Sequence, residues 1–582
     1  MILQSLTELY DQLVQKGELE QPGWQEAKVS WALEIREDGS VFQMTSLLTP
    51  RLVGKKEKWL PRDMKIPAQV KRTVGIAANF LCDNSSYILG VDAKGKPERS
   101  KECFDACKAL HVELLSQVDI PEAQAVVRFF ENWDASRAQE CEAIKDSWEE
   151  LMAGGSIVFM VDGEYVHNIP AIKAAWNNAY SNEEEGEVMR CLVTGERSTI
   201  ARLHPSIKGV RGAQSSGASL VSFNAPAYDS FGRDGEQGSN APVSQRAAFA
   251  YGAALNYLIS KAEHRILLGD MTVVFWAEDA QEEAACFFSD IIGGGDTLSE
   301  KNLKSIMTKL SLGQSVEWNG VPINPSNRFY VLALSPNAAR LSVRFFIRDS
   351  FGEIIRRVSR HYADLEIVKP QFDSRENLSV WNLLNETVNQ KSKDKSASPQ
   401  MSGALLRAVL TGGLYPSTLL TQTEMRIRAE REITRGRAAI IKAYLLRNTK
   451  ESAKYQQYKE VLKVQLNENT NYQPYVLGRL FAVLEALQEA ANSNITATIR
   501  DRYFNAACGT PAVVFPQLLR LAQAHLKKLS TGNRIHFSQQ ITNLLGMCET
   551  EYPARLDLHD QGIFQIGYYH QVQKRYEKKE DK

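Results

Sequence analysis

Two hydrophobic periodicities divide this chain, and the change from one to the other constrains its fold more than any single motif. Up to about residue 387, short β-rich runs flank turn residues: KVSWALEIREDGSVFQMTSL around Asp38-Gly39, and GSIVFMVDGEYVHN around Asp162-Gly163. Asp-Gly supplies the positive φ of a tight hairpin. RFYVLALSPNAARLSVRFFIRD reads as a third hairpin, with Val331 to Leu334 and Leu341 to Ile347 flanking a Ser-Pro-Asn turn and a helix following from Phe351 to about Leu365. Helical spacing interleaves with these strands, in Leu3, Leu6, Tyr10 and Leu13 and again over 101–117. The stretch VNQKSKDKSASPQMSG (388–403) is polar, Ser/Lys-rich and broken by Pro399, the composition of a linker. Beyond it the period is helical throughout, as in Leu477, Leu480, Phe481, Leu484 and Leu487. The reading is α+β: a large mixed α/β region with hairpins over 1–387, a linker over 388–403, and an all-α bundle over 404–582.

Hydrophobic residues at 43% and charged residues at 24% match ordinary globular usage, so the 582-residue chain has the means to bury several cores. Lys plus Arg equals Asp plus Glu, 69 against 69, so a surface for nucleic acid has to arise by segregation of charge. No run approaches the roughly 18 apolar residues of a membrane span, and MILQSLTELYDQLVQKGELE lacks the pattern of a signal peptide. A cytoplasmic protein without a membrane partner is expected. The eight cysteines form no CxxC pair, which argues against a disulfide framework.

Charge does segregate. Residues 51–72 hold eight basic and two acidic positions, and 425–450 repeat that count. Either run is a solvated face or a phosphate contact; two together point to nucleic acid. The segment 204–246 is long, rich in Gly, Ser and Asn, and carries Phe223, Tyr228 and Phe231. Small residues let a backbone approach a ligand, and amides, hydroxyls and aromatic rings suit bases and phosphates. An Ω-type loop without a ligand is the structural alternative.

Enzyme readings fail on particular residues. Gly212-Ala-Gln-Ser-Ser-Gly217-Ala218-Ser219 has the glycine spacing of a phosphate-binding loop, but Ala218 stands where the lysine must be. Ala213-Gln-Ser215-Ser-Gly217 lacks the first glycine of a nucleophile elbow. Cys103, Cys107 and His111 share a helix face without a fourth ligand nearby, and His559-Asp560 stands alone. No cofactor, no metal and no catalytic residue is expected.

The strings NFLCDNSSYILG (79–90), CLVTGE (191–196), ARLHPSIKGVRGAQSSGASLVSFN (201–224), SNAPVSQRAAFAYGAALNYL (239–258) and GIFQIGYYHQ (562–571) resemble the large subunit of the type I-C CRISPR Cascade complex, the Cas-eight-c family. That resemblance implies a non-enzymatic subunit of a ribonucleoprotein surveillance complex in antiviral defence. Its implied partners are a guide CRISPR RNA, target double-stranded DNA and the displaced single strand of the R-loop, backbone and handle-binding subunits, and a helicase-nuclease effector. It also implies a small subunit made from the chain's own C-terminal region, for which Met401, Met425 and a site near Val461 are the visible starts. Pairing to a guide needs melted DNA, so a protein must read the short protospacer-adjacent motif (PAM) on the closed duplex.

On that reading Asn79, Asn84, Ser85 and Ser86, with Gln214, Ser215 and Ser216, approach the motif or the point of strand separation; Asx turns are the alternative for the asparagines. Lys55, Lys56, Lys58, Lys71, Arg72, Lys208, Arg211 and Arg246 are the candidate phosphate contacts, chosen for charge and neighbourhood. Arg479, Arg500, Arg502, Lys527 and Lys528 are candidates to track single-stranded DNA, with surface charge for solubility as the plain alternative. The competing functions are a nucleotide hydrolase or nuclease using the Gly/Ser-rich loop 209–240, and a purely architectural scaffold.

Overall fold

The computed structural model describes residues 1–53, 56–70, 75–92, 96–182, 186–223, 225–228, 237–293, 300–318, 320–393, 396–492 and 494–577; at 51–53, 56–58, 181–182, 226 and 300–304 it describes the backbone alone. The fold is α+β, as the two periodicities require. It falls into two compact units, one of residues 3–205 and 222–254, the other of 206–221 and 255–582.

The first unit is organised by a five-stranded sheet. Trp31–Ile35 runs antiparallel to Val41–Ser46 and parallel to Ile157–Val161, which pairs in turn with Cys82–Asp83 and Glu164–Tyr165. Both Asp-Gly hairpins form as expected. Gly39 has φ +83°, and a Cβ there would sit 2.5 Å from the backbone nitrogen of Phe129, so the turn needs glycine for conformation and for space. The opening helix Ile2–Gln15 buries Leu6, Leu9, Tyr10 and Leu13 along one stripe. Helices Pro97–Leu115 and Pro121–Asn132 add Phe104, Cys107, His111, Phe129 and Phe130 to the core around Phe159.

The second unit holds a six-stranded sheet in the order Ser206–Ile207, Ala218–Ser219, Arg340–Ser350, Arg328–Asn337, Met271–Ala277, Arg265–Leu268. Helices Glu282–Gly293 and Phe351–Leu365 cover one face, with Phe275 against Phe288 at 4.8 Å and Phe329 against Phe351 at 4.9 Å. Ser350 caps the second of these helices, accepting the amide of Glu353. The third hairpin turns later than the sequence predicts. Ser335, Pro336 and Asn337 continue the strand opposite Ser342, Leu341 and Arg340, and the chain reverses at Ala338, where φ is +53°. Pairing to Met271–Ala277 stops at Leu334, so Pro336 has a ladder neighbour on one side only, the place where a strand tolerates proline.

Helices from Pro399 to Tyr576 make the C-terminal bundle. The polar stretch 388–403 lacks regular structure over the described residues 387–393 and 396–398 but does not mark the end of a core. One hydrophobic cluster continues across it, from Phe275 and Phe329 through Leu405 and Leu406 to Phe481 and Phe564.

The basic run 425–450 is only partly a surface: Arg428 and Lys450 are exposed, but the cations of its central helix are not. Arg437, Lys442 and Arg447 on the helix Arg435–Asn448 are each 3% exposed. Arg447 donates to Asp364 at 3.0 Å and to the carbonyls of Ala408 and Gly413, and stacks over the Tyr415 ring at 4.1 Å. Lys442 donates to the carbonyl of Asp364 at 2.9 Å, and burial pulls its pKa down to about 8. Arg437 pairs with Glu430 and Glu386, and Arg435 with Asp373. Asp364 and Ala408 lie in the last turns of their helices, whose carbonyls lack intrahelical partners; buried cations supply the donors. Charge that reads as a phosphate surface therefore ties helix ends together.

Candidate nucleic-acid interface

In the first unit the segment 79–86 forms a tight turn, buried over 79–83 and open at Asn84. Leu81 has φ +55° and precedes the short strand Cys82–Asp83. The Asp83 carboxylate, 2% exposed, accepts the backbone N–H groups of Asn79 at 2.9 Å and Asn84 at 2.8 Å. His111 Nε2 accepts the Leu81 N–H at 2.9 Å while Nδ1 donates to the Cys107 carbonyl at 2.7 Å. Complete burial pushes the His111 pKa down to about 4, so the ring stays neutral and keeps its acceptor. Cys103 and Cys107 are buried on the same helix, so this trio builds a core and positions the turn.

The two asparagines spend their oxygens on the backbone. Asn79 Oδ1 accepts the Val70 N–H at 2.8 Å, and Asn84 Oδ1 accepts the Ser86 N–H at 3.0 Å, the Asx arrangement weighed as the alternative. Among the described residues neither Nδ2 group has an acceptor. Both residues line a shallow depression of about 340 Å³ with Gln69, Val70, Asp83, Gly155 and Ser156. Gln69 donates to the Cys82 carbonyl and accepts from Gln25. Gly155, at φ +118°, would put a Cβ 2.5 Å from Ser30 Oγ. Ser85 and Ser86 are half-buried at the start of the helix Ser85–Ile88. Gln69 went unnoticed in the sequence, and His111 was weighed there only as a metal ligand, because their roles depend on partners 13 and 30 residues away.

Within the basic run 51–72, the strand Lys56–Leu60 pairs with Thr49–Val53, with Arg51 opposite Lys58 and Val53 opposite Lys56. Trp59 on it is 66% exposed. Lys55, Lys71 and Arg72 lie outside the described residues, as do the side chains of Lys56 and Lys58. Arg246 is not a free cation: it pairs with Asp11 at 2.6 Å.

In the second unit the Gly-rich loop spans 208–217, between two strands of two residues each. Buried Val210 anchors it, the Lys208 amide donates to Asn256 Oδ1 at 2.8 Å, and the Arg211 amide donates to Thr272 Oγ1 at 2.9 Å. Gly209, Gly212 and Gly217 all have positive φ. A clamped backbone thus presents Lys208, Arg211, Gln214, Ser215 and Ser216 to solvent. The loop runs into the strand Ala218–Ser219, so it lacks the helix that a phosphate-binding loop or a nucleophile elbow requires. Asn79 and Asn84 belong to one unit and Gln214 to Ser216 to the other, so neither unit by itself brings the two groups together.

The C-terminal candidates divide sharply. Arg479 is 6% exposed and bonds Gln571 and the Asn467 carbonyl; buried, it is not available to a strand. Arg500 lies 3.6 Å from Glu485, whose carboxylate also accepts from Thr498 and Tyr568. Arg502, Lys527 and Lys528 are exposed, with Lys528 donating to Asn492. Exposed Arg520 and Arg534 join them. The signal that finds these two is the absence of any Asp or Glu over 502–548, against five Arg and Lys. His559-Asp560 is structural: Asp560 accepts Lys454 at 2.6 Å and Tyr472 at 2.6 Å. Among the described residues no three His, Cys, Asp or Glu gather as a metal site, and no helix is long and apolar enough to cross a membrane.

The chain matches no curated protein. A family model described as CRISPR-associated protein (Cas_Csd1) matches residues 6–576, nearly the whole length. The chain therefore belongs to the CRISPR-associated Cas_Csd1 family.

Proposed function

We propose that this chain is the non-catalytic DNA-recognition large subunit of a type I-C guide-RNA complex. It reads the PAM on closed duplex DNA, helps to open it, holds the displaced strand and recruits a helicase-nuclease. The observation that carries the reading is the loop 208–217. Its backbone is held by Val210, Asn256 and Thr272, and its exposed side chains are two cations, an amide and two hydroxyls. Such a set grips phosphates and sugars and fixes register, the part of recognition that a protein supplies when pairing to a guide reads the rest. The exposed cations on the acid-free helices suit a single strand, whose phosphates bind by charge without sequence preference. Guide RNA, backbone and handle-binding subunits and a small subunit related to residues 404–582 complete the assembly in this reading, which is cytoplasmic.

The test is gel-shift affinity of the reconstituted complex for duplexes that differ only in the flanking motif. Affinity is expected to depend on the motif and to fall with salt. Lys208→Glu with Arg211→Glu is expected to weaken all duplexes alike and to reduce the slope of log affinity against log salt by about 0.9 per lost phosphate contact. Equal binding to every motif, or an unchanged slope, would defeat the reading.

A further inference from the structure

Among the described residues, one long strand of the second unit has an open edge. Arg340–Ser350 pairs along one side with Arg328–Asn337, and on the other it meets a strand at a single position, Arg340 beside Ser219. The Phe351 N–H donates to the carbonyl of Asn327, its opposite in the same register, so the ladder bonds recur at Asp349 and Ile347. Phe346 and Arg348 therefore turn their backbone N–H and C=O groups outward. The two-residue turn at Ala338-Ala339, closed by Asn337 and Arg340, sets Val343 outward by the same alternation. Among the described residues the backbone groups of Val343, Phe346 and Arg348 have no partner. Val343 is 39% exposed, Arg344 and Arg348 are exposed, and Phe346 is half-buried.

An open edge is a template for another strand, and native proteins either cover it or guard it with charge. A phosphate backbone would meet the N–H donors alone and be repelled by the carbonyls between them, whereas an extended polypeptide satisfies both. The side chains narrow its character. Phe346 and Arg348, two residues apart, share one face of the sheet with their cross-strand neighbours Leu332 and Tyr330. Of the strand's charges, Arg344 pairs with Asp270 at 3.3 Å and Asp349 with Arg357 at 2.8 Å. Arg348 lies over the Tyr330 ring at 6.0 Å and forms no ion pair among the described residues. We propose, resting on the reading above that this chain works inside a protein assembly, that an extended segment of a partner protein adds a strand to this edge. It places an acidic residue beside Arg348 and an apolar one, two residues along, beside Phe346.

Residue-resolved hydrogen exchange over 341–350 tests this, in the purified full chain and in the assembled guide-RNA complex without target DNA. In the chain alone the amides of Ile347 and Asp349 are expected to exchange slowly and those of Val343, Phe346 and Arg348 fast. Assembly is expected to slow the second set by about tenfold or more. Arg348→Glu is expected to lower the affinity of the chain for the remaining subunits about tenfold. Val343→Pro, whose missing N–H faces away from the neighbouring strand, is expected to lower it likewise, with the urea midpoint of each variant unchanged. The proposal is overturned if the second set stays fast in a complex that binds its motif normally, which leaves the arginines as guards of an uncovered edge. It is also overturned if protection disappears on digestion of the guide RNA while the protein subunits remain bound, which assigns the edge to nucleic acid. A chain that joins no other subunit would instead defeat the reading of an assembled complex, and the proposal with it.

Discussion

Gly478→Ala is the substitution that most directly tests how the C-terminal bundle is held together. Gly478 lies on the helix Gln473–Ala491, packed along Leu558–Tyr576, and a Cβ at its position would stand 1.9 Å from the Phe564 carbonyl oxygen, 2.8 Å from its carbon and 2.9 Å from the Tyr568 nitrogen. Every one of these atoms is backbone, so no rotamer change relieves the clash. The contact is reciprocal, because a Cβ at Gly567 would stand 2.2 Å from the Tyr475 oxygen. To bring 1.9 Å to an ordinary contact beginning at 3.4 Å, the helices must move apart locally by about 1.5 Å. A gap of even ~0.5–1 Å forfeits a quarter to a half of each dispersion contact. The buried side chains Leu477, Phe481, Phe564 and Tyr568 all sit at this seam. We expect a loss of about 3 kcal/mol, the upper end for overpacked cores, set against the few tenths to 1 kcal/mol that alanine gains over glycine in a helix. Urea unfolding of the full chain followed by far-UV circular dichroism measures it as a lower midpoint. Gly532→Ala is the control: nothing lies within 4 Å of its Cβ position. If Gly478→Ala unfolds within about 0.5 kcal/mol of the parent, the close-packed seam does not exist as described.

Two further predictions concern buried charge. Glu424 is 1% exposed; burial raises its pKa to about 7, Gln565 donates to Oε2 at 2.7 Å, and Oε1 has no partner among the described residues. Its folded pKa stands above the unfolded value, so the folded state holds the proton more tightly and stability declines as pH rises through the interval between the two. Glu424→Gln is expected to stabilise the chain at pH 8 by up to about 3 kcal/mol and to lose that advantage toward pH 5, as read from urea midpoints at both pH values. A constant difference would refute it. Arg447→Ala strips the partner from Asp364 and the donor from the carbonyls of Ala408 and Gly413, and is expected to cost roughly 3–5 kcal/mol. Near-parent thermal stability would refute the structural role of Arg447.

Much of the architecture was readable because its causes are local. An Asp-Gly pair has to be a turn wherever it sits, and apolar residues three and four apart have to share a helix face, so the hairpins at 38–39 and 162–163 and the helix Phe351–Leu365 needed no tertiary information. The Ser335-Pro336-Asn337 turn failed for the converse reason. Proline is a turn residue unless the strand beside it has ended, and where Met271–Ala277 stops pairing is a fact about another part of the chain.

The site residues divide along the same line. Composition located the Gly-, Ser- and Asn-rich stretch 204–246 that contains the loop 208–217, whereas the segment 79–86 stood out through the family resemblance. Only packing decided which charges face water: Arg437, Lys442, Arg447 and Arg479 look like Arg211 and Lys527 in the sequence, yet the first four are buried against carbonyls and carboxylates. Side-chain type states that a group carries a proton or a lone pair. Whether that group is still unspent depends on partners brought from tens of residues away, which is why the pairing of Arg447 with Asp364 emerges only once the chain has closed around them.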